Sequence, residues 1–176
     1  MKSVEEETLR GLFSPQSIAV IGASRDPKKV GHAILKNVIT SGFRGKVYPI
    51  NPKAEEILGL KCYASVKDVH DEVDLAVISV PASLVVKVAK ECGEKGVKFL
   101  VVISAGFKET GREGARREAE LVSIARRYGM RILGPNCLGV IDTYAPINAT
   151  FSAAPPLKGG IAFVSQSGAL GTAILD

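Results

Sequence analysis

Four groups of residues have types and spacings that could do chemistry. The first is Ile18-Ala-Val-Ile-Gly-Ala-Ser-Arg-Asp-Pro-Lys-Lys-Val-Gly31: an apolar run, a turn of Gly22, Ala23 and Ser24, then a helix-like pattern. A strand–turn–helix of this kind points backbone N–H groups outward at a helix N-terminus, where the dipole favours an anion, so its chemistry is phosphate binding. Gly22 fills the first position of G-x-G-x-x-G, but Ser24 and Pro27 occupy the other two, so the ligand need not be NAD. The second group is Asn51-Pro52-Lys53, directly after an apolar stretch. A dinucleotide domain places an acid there to hold ribose hydroxyls. With Lys53 following instead, the pattern favours a nucleotide carrying an extra phosphate near its ribose, as NADP and coenzyme A both do. Arg25, Lys28 and Lys29 add charge near the first loop; all three lysines also fit an ordinary solvated surface.

The third group is a set of small residues closing three apolar runs: Val80-Pro81-Ala82, Ser104-Ala105-Gly106 and Gly134-Pro135-Asn136-Cys137. In open α/β sheets ligands bind outside the carboxyl ends of strands, and small side chains there let a long, thin ligand approach the backbone. Each alone is ordinary punctuation; with the Gly22 loop they outline one crevice. The fourth group is sparse. Cys62, Cys92 and Cys137 show no metal or redox spacing, and with only His32 and His70 for company no metal site is expected. Cys137 could serve as a nucleophile, but with no histidine nearby in sequence it reads as a buried or ligand-lining thiol.

Hydrophobic residues make up 46% of the 176 and charged residues 23%, enough for a packed core. No apolar run reaches the ~18 residues that span a bilayer. The segment Met1 to Arg10 is acidic and polar, unlike a secretory signal, so a cytoplasmic location and no membrane partner are expected. The formal charge of +5 fits an anionic ligand. With 6% aromatics and no aromatic–basic interleaving, nucleic acid is not expected as a partner.

The elements that must position these groups follow from apolar periodicity. Strands are predicted at Ser17–Gly22, Lys46–Ile50, Asp74–Val80, Phe99–Ser104 and Met130–Leu133. Helices are predicted at Lys29–Ser41, Ser83–Lys95 and Arg112–Tyr128, the last with Ala115, Ala119, Val122 and Ala125 facing inward. The Arg116-Arg117 and Arg126-Arg127 pairs then fall on its solvated face. A short acidic helix is expected over Ala54–Leu58 and an extended stretch over Gly59–Tyr63. This alternation means a doubly wound, Rossmann-like parallel sheet. Residues 1–147 form that domain in this reading. Pro135 to Pro156, rich in Pro, Asn, Thr and Ala, has a linker's texture, and the linker proper is set at 148–157. Residues 158–176 repeat strand, turn and helix and read as the start of a second, incomplete α/β domain.

Taken in order, these stretches resemble the N-terminal CoA-binding domain of the NDP-forming acyl-CoA synthetases. That family includes the α subunits of ADP-forming acetyl-CoA synthetase and, more distantly, of succinyl-CoA synthetase. The likeness is carried by Leu12-Phe-Ser-Pro-Gln-Ser-Ile-Ala-Val-Ile-Gly-Ala-Ser24, Tyr48-Pro-Ile-Asn-Pro-Lys53, Val80-Pro-Ala82, Ile103-Ser-Ala-Gly-Phe107, Gly134-Pro-Asn-Cys-Leu-Gly139 and Val164-Ser-Gln-Ser-Gly-Ala-Leu170. It covers nearly the whole chain.

The resemblance implies a reversible ligase reaction: acyl-CoA, ADP and phosphate give acid, CoA and ATP, through an acyl phosphate and a phosphohistidine. It implies that Gly22, Ala23, Ser24, Arg25 and Lys28 lie along the CoA nucleotide and that Lys53 meets phosphate. Val80, Pro81 and Ala82 would flank the adenine and pantetheine path, with Ser104, Ala105 and Gly106 opposite and Asn136 and Cys137 toward the thiol. Ser165, Gln166, Ser167 and Gly168 match a second-domain loop of the phosphate site. The phosphohistidine is expected beyond Asp176, since neither His32 nor His70 matches its motif; both read as structural or exposed. No catalytic residue is expected in this chain. ATP or ADP with Mg would be bound by further domains, an ATP-grasp domain or a β subunit, which would be its partners alongside CoA or acyl-CoA. Two other readings stay open: a CoA-binding regulatory module such as that fused to an acetyltransferase, and an NADP-binding Rossmann protein.

Overall fold

The computed structural model describes residues 9, 11–153 and 156–175. Five strands, β1 (Ser17–Ile21), β2 (Lys46–Ile50), β5 (Leu75–Ile78), β6 (Phe99–Val102) and β7 (Arg131–Leu133), make one parallel sheet in the order β2-β1-β5-β6-β7. β1, β5 and β6 are buried along their whole length. Their uninterrupted apolar runs are what a parallel sheet covered on both faces requires.

Alternate residues feed two cores. Ala19, Ile21, Ala76, Ile78, Leu100 and Val102 face helices α2 (Ala82–Lys95) and α3 (Arg112–Tyr128), which contribute Val85, Ala89, Cys92, Leu121 and Ala125. Ile18, Val20, Leu75, Val77 and Val101 face helix α1 (Val30–Thr40) through Ile34, Leu35 and Val38. Left-handed glycines at Gly96 and Gly129 end α2 and α3.

Four features differ from the sequence reading. Ala54–Leu58 is not helical: β3 (Glu56–Ile57) and β4 (Leu60–Lys61) form a tight antiparallel hairpin. Its turn residues Leu58 and Gly59 both have positive φ, 52° and 76°, the geometry a two-residue primed turn needs. Leu-Gly signals that turn far more weakly than Asn-Gly.

The stretch of linker texture carries regular structure in part. Strands β8 (Gly139–Asp142) and β9 (Ile147–Thr150) form a hairpin, so the 147/148 boundary falls inside β9. Val140, Ile147 and Ala149 join α1's side of the core. The polar residues that gave the stretch its linker texture, Asn148 and Thr150, are buried but bonded to each other. Asn37 Nδ2 of α1 donates to the carbonyls of Thr150 and Ser152, both at 2.9 Å.

On α3 the buried face is Gly114, Leu121 and Ala125, whereas Ala115, Ala119 and Val122 are exposed. One buried leucine contributes more than several alanines. Gly114 also permits contact that any side chain would block, since a Cβ there would lie 1.7 Å from the Phe107 carbonyl oxygen.

Finally, residues 161–164 form no strand and are exposed, with Ile161 and Val164 each 95% accessible. An extended segment needs a neighbour to make a ladder, and none lies beside it among the described residues. Helix α4 (Gly168–Leu175) does form, with Leu138 nearby: a Cβ added at Gly168 or Gly171 would lie 3.7 Å or 3.4 Å from it.

Candidate nucleotide crevice

Because all five strands run parallel, their carboxyl ends deliver five loops to one edge. β1 leads on to β2 on one side of it, while β5, β6 and β7 follow in turn on the other, so the order switches between β1 and β5. Ligands of open α/β sheets sit at such a switch point.

The loops are tied into two groups that meet there. On one side Asn51 Nδ2 donates to the Ala23 carbonyl at 2.8 Å, and Asn51 Oδ1 accepts from the Lys53 amide at 2.9 Å. Arg25 Nη2 reaches the Lys53 carbonyl at 3.4 Å. On the other side Ser104 Oγ donates to the Val80 carbonyl at 2.6 Å, and the Asn136 amide to the Ser104 carbonyl at 3.0 Å. Gly106 lies so close to Ala82 that a Cβ on it would sit 2.7 Å from the alanine's own.

At the junction Gly22 has φ +94°, and a side chain there would strike the Ser79 carbonyl at 2.6 Å. The role of the missing fingerprint glycines is met by Gly31, where a Cβ would lie 1.9 Å from the Gly22 carbonyl oxygen. The spacing is longer than the fingerprint's, and this is why a fixed pattern misses it. Ser79 Oγ lies 3.0 Å and 3.1 Å from those two hypothetical Cβ positions, at the centre of the turn.

The Gly22 loop presents unpaired donors and positive charge. Ser24 Oγ accepts from the Asp26 amide, and His32 Nδ1 lies 2.9 Å from the Ser24 carbonyl, so that nitrogen carries the proton and donates. The amides of Ala23, Ser24 and Arg25 donate to no acceptor among the described residues. Lys29, which precedes α1, provides no side-chain cap, and the first turn of that helix contains no acid. The N–H groups of Val30 and Gly31 at its start donate to no acceptor among the described residues, whereas those of His32 and Ala33 donate to the Lys29 carbonyl. Arg25, Lys28 and Lys53 are exposed and form no ion pair among the described residues.

The opposite wall is neutral. Cys137 Sγ donates to the carbonyls of Val102 at 3.4 Å and Leu133 at 3.7 Å, and burial pushes its thiol up to about 11. A thiol bonded and shifted in this way stays protonated and is a poor nucleophile. Ser165–Gly168 bonds locally: the Ser167 amide donates to Ser165 Oγ, Ser167 Oγ caps α4, and a Cβ added at Gly168 would lie 3.7 Å from Leu138. His70 is exposed; His32 braces the loop. Asn51 and Gly31 stand within the sequence motifs without the bracing and packing roles seen here, Arg117 reads from sequence as solvated, and Ser79 was not singled out. Only Asn51 carried a usable signal, an Asn-Pro dipeptide directly after a strand. Among the described residues no cluster could hold a metal and no helix is long and apolar enough to cross a membrane.

Fold and site together define a Rossmann-like domain whose switch point pairs a cationic loop with open amides against loops of small neutral residues. The chain belongs to the CoA-binding domain family, whose profile matches residues 16–143. It is 56% identical over 163 residues to the α subunit of acetate–CoA ligase [ADP-forming] II of Pyrococcus furiosus, covering 93% of this chain and 35% of that protein. It is 56% identical over 165 residues to acetate–CoA ligase [ADP-forming] I of Archaeoglobus fulgidus, covering 94% of this chain and 24% of that one. The solved structure of Ca. Korarchaeum cryptofilum dinucleotide forming acetyl-coenzyme A synthetase 1, in complex with phosphate and ADP, superimposes with a TM-score of 0.92 at 56% identity. That match covers 95% of this chain and 36% of the other. The chain thus spans between about a quarter and about a third of these relatives' length.

Proposed function

We propose that this chain is the CoA-binding portion of an ADP-forming acyl-CoA synthetase. In that reaction acyl-CoA, ADP and phosphate yield acid, CoA and ATP. The observation that carries the reading is the division of the crevice: unpaired Arg25, Lys28 and Lys53 beside an open phosphate loop, facing a neutral wall. CoA has the same division, with phosphates at one end and an uncharged pantetheine arm at the other. The donor set fits that ligand, and the close backbone packing at Gly22 and Gly31 fixes the loop that presents it.

In this reading Gly22, Ala23, Ser24, Arg25 and Lys28 hold the diphosphate, and Lys53 meets the ribose phosphate. Val80–Ala82, Ser104–Gly106, Asn136 and Cys137 line the path toward the thiol. Ser165–Gly168 opens a second domain and belongs to the site where acyl phosphate forms. The phosphohistidine, the ADP site and its Mg belong to other parts of the enzyme, which works in the cytoplasm. What supports this is the motif series along the chain together with relatives named as ADP-forming ligases.

Calorimetric titration with CoA, dephospho-CoA, NADP and NAD at fixed salt tests the reading. The expected order places CoA first. Lys53→Ala should weaken CoA binding by about tenfold, the scale of one charge-assisted phosphate contact, and leave dephospho-CoA nearly unchanged. Equal losses for both ligands would remove Lys53 from the ribose phosphate. A preference for NADP would overturn the ligase reading and keep the fold.

A further inference from the structure

The neutral wall of the crevice is held at Gly106 by two charged side chains from outside the loop groups. Arg117 lies on α3, where the sequence pattern places it on the solvated face, yet only 22% of its side chain is accessible. Its Nη1 donates to the Gly106 carbonyl, and its Nη2 pairs with Glu113 Oε1 at 3.0 Å. Glu109 Oε1 accepts from the Gly106 amide at 2.6 Å and from the Phe107 amide at 3.1 Å. Both polar groups of Gly106 are therefore taken by side chains of opposite charge. These charge-assisted bonds are stronger than neutral ones. Gly106 itself sits at φ +104° against Ala82, so the loop cannot relax inward without meeting α2. With the Gly106 amide and carbonyl engaged by side chains and Ser104 Oγ bonded to the Val80 carbonyl, this stretch of wall is small and uncharged.

We infer that Arg117, with Glu109, is a positioning residue that fixes the Ser104–Gly106 wall for the uncharged arm of the ligand. This rests on the CoA-binding reading above and extends it. The cationic residues of the crevice all belong to the β1 and β2 loops, whereas the loops after β5, β6 and β7 carry none between Val80 and Ala82, Ser104 and Gly106, or Gly134 and Cys137. Charge alone therefore sends the phosphates to one side and the pantetheine arm to the other. A wall that drifts must affect the arm and spare the phosphates.

The test is titration of wild-type chain, Arg117→Ala and Arg117→Lys with CoA and with adenosine 3′,5′-bisphosphate, which lacks the arm. Arg117→Ala should weaken CoA by about tenfold, the scale of a charged hydrogen bond, and change the bisphosphate by less than about twofold. Arg117→Lys, which keeps one donor for the Gly106 carbonyl, should recover most of the loss. Glu109→Gln, an exposed replacement with little bearing on folding, should weaken CoA by about threefold with the same selectivity and carries the test if Arg117→Ala is poorly folded. Equal losses for both ligands, or none for either, would overturn the inference. A wild-type chain that binds neither ligand would instead overturn the CoA reading itself.

Discussion

Residue-scale chemistry in this chain turns on close approaches that only particular side chains allow. At Gly31 a single methyl group would meet the Gly22 carbonyl oxygen at 1.9 Å, backbone against backbone, where neither partner can swing away. Gly31→Ala should destabilise the chain by about 1–3 kcal/mol through overpacking and displace the phosphate loop with it. The control is Gly159→Ala, where nothing lies within 4 Å. Thermal unfolding and CoA titration of the pair check this, and identical behaviour of the two variants would mean that the loop tolerates a shifted helix. Thiols make the second residue-scale case. Burial raises Cys62 and pushes Cys92 up to about 12 and Cys137 up to about 11, against an ordinary value of 9.0. A raised thiol stays protonated and unreactive over the range where a free one begins to ionise. Native chain at pH 8 should therefore take up iodoacetamide far more slowly than denatured chain. Cys137, the one cysteine that is not fully buried, should be labelled first as pH climbs toward 11. Rapid labelling of Cys137 at pH 7 would return it to the list of nucleophiles.

Among the elements, the β8–β9 hairpin shows how a polar sequence can belong to a core. It covers the same sheet face as α1, where a doubly wound fold would otherwise carry another helix, and α1 is its anchor. Asn37 reaches across, donating to two carbonyls in a region that buries Asn148 and Thr150, and Ser41 Oγ at the helix end adds a 3.3 Å bond to the Pro146 carbonyl in the hairpin turn. Asn37→Ala leaves both acceptors without that donor and should cost about 1–3 kcal/mol. Denaturant unfolding measures the loss, and amide exchange should quicken first at Ile147–Thr150. A hairpin held by Val140, Ile147 and Ala149 alone would show no such local change. The same hairpin marks where the sequence is legible and where it is not. β1, β2, β5, β6, α1, α2 and α3 were readable because their apolar periods are long and their ends carry glycine. β3–β4 and β8–β9 were not, because two- and four-residue strands give no period and their signals lie in φ angles and in cross-chain hydrogen bonds. α3 shows the intermediate case: its limits were readable but its inward face was not, since alanine at every turn fits several faces and only contact with Phe107 selects one. The crevice followed the same rule. Loops at strand ends were legible from small residues, while the bracing by Asn51, His32, Ser79 and Arg117 depends on which strands become neighbours.

For the whole molecule, the question is how much of the chain the sheet needs. Residues 11–153 contain the complete five-stranded sheet, both cores and all five crevice loops. Residues 157–175 add little to that body. Leu157, Ile161, Val164, Leu170 and Ile174 are exposed, α4 buries no residue, and its glycines lie near Leu138. Apolar side chains left in water stabilise nothing. A chain ending at residue 156 should therefore unfold within about 2 °C of the longer one, since a surface change of about 0.5 kcal/mol moves the midpoint of a domain this size by no more. Exposed apolar residues also promote self-association, so the shorter chain should be the better behaved at high concentration. CoA affinity separates two roles for Ser165–Gly168. Unchanged affinity would place that loop at a later step than CoA binding, as a loop of the acyl phosphate site requires. A loss of tenfold or more, with the melting point held, would bring the loop into the CoA crevice by way of Leu138, the neighbour of Cys137.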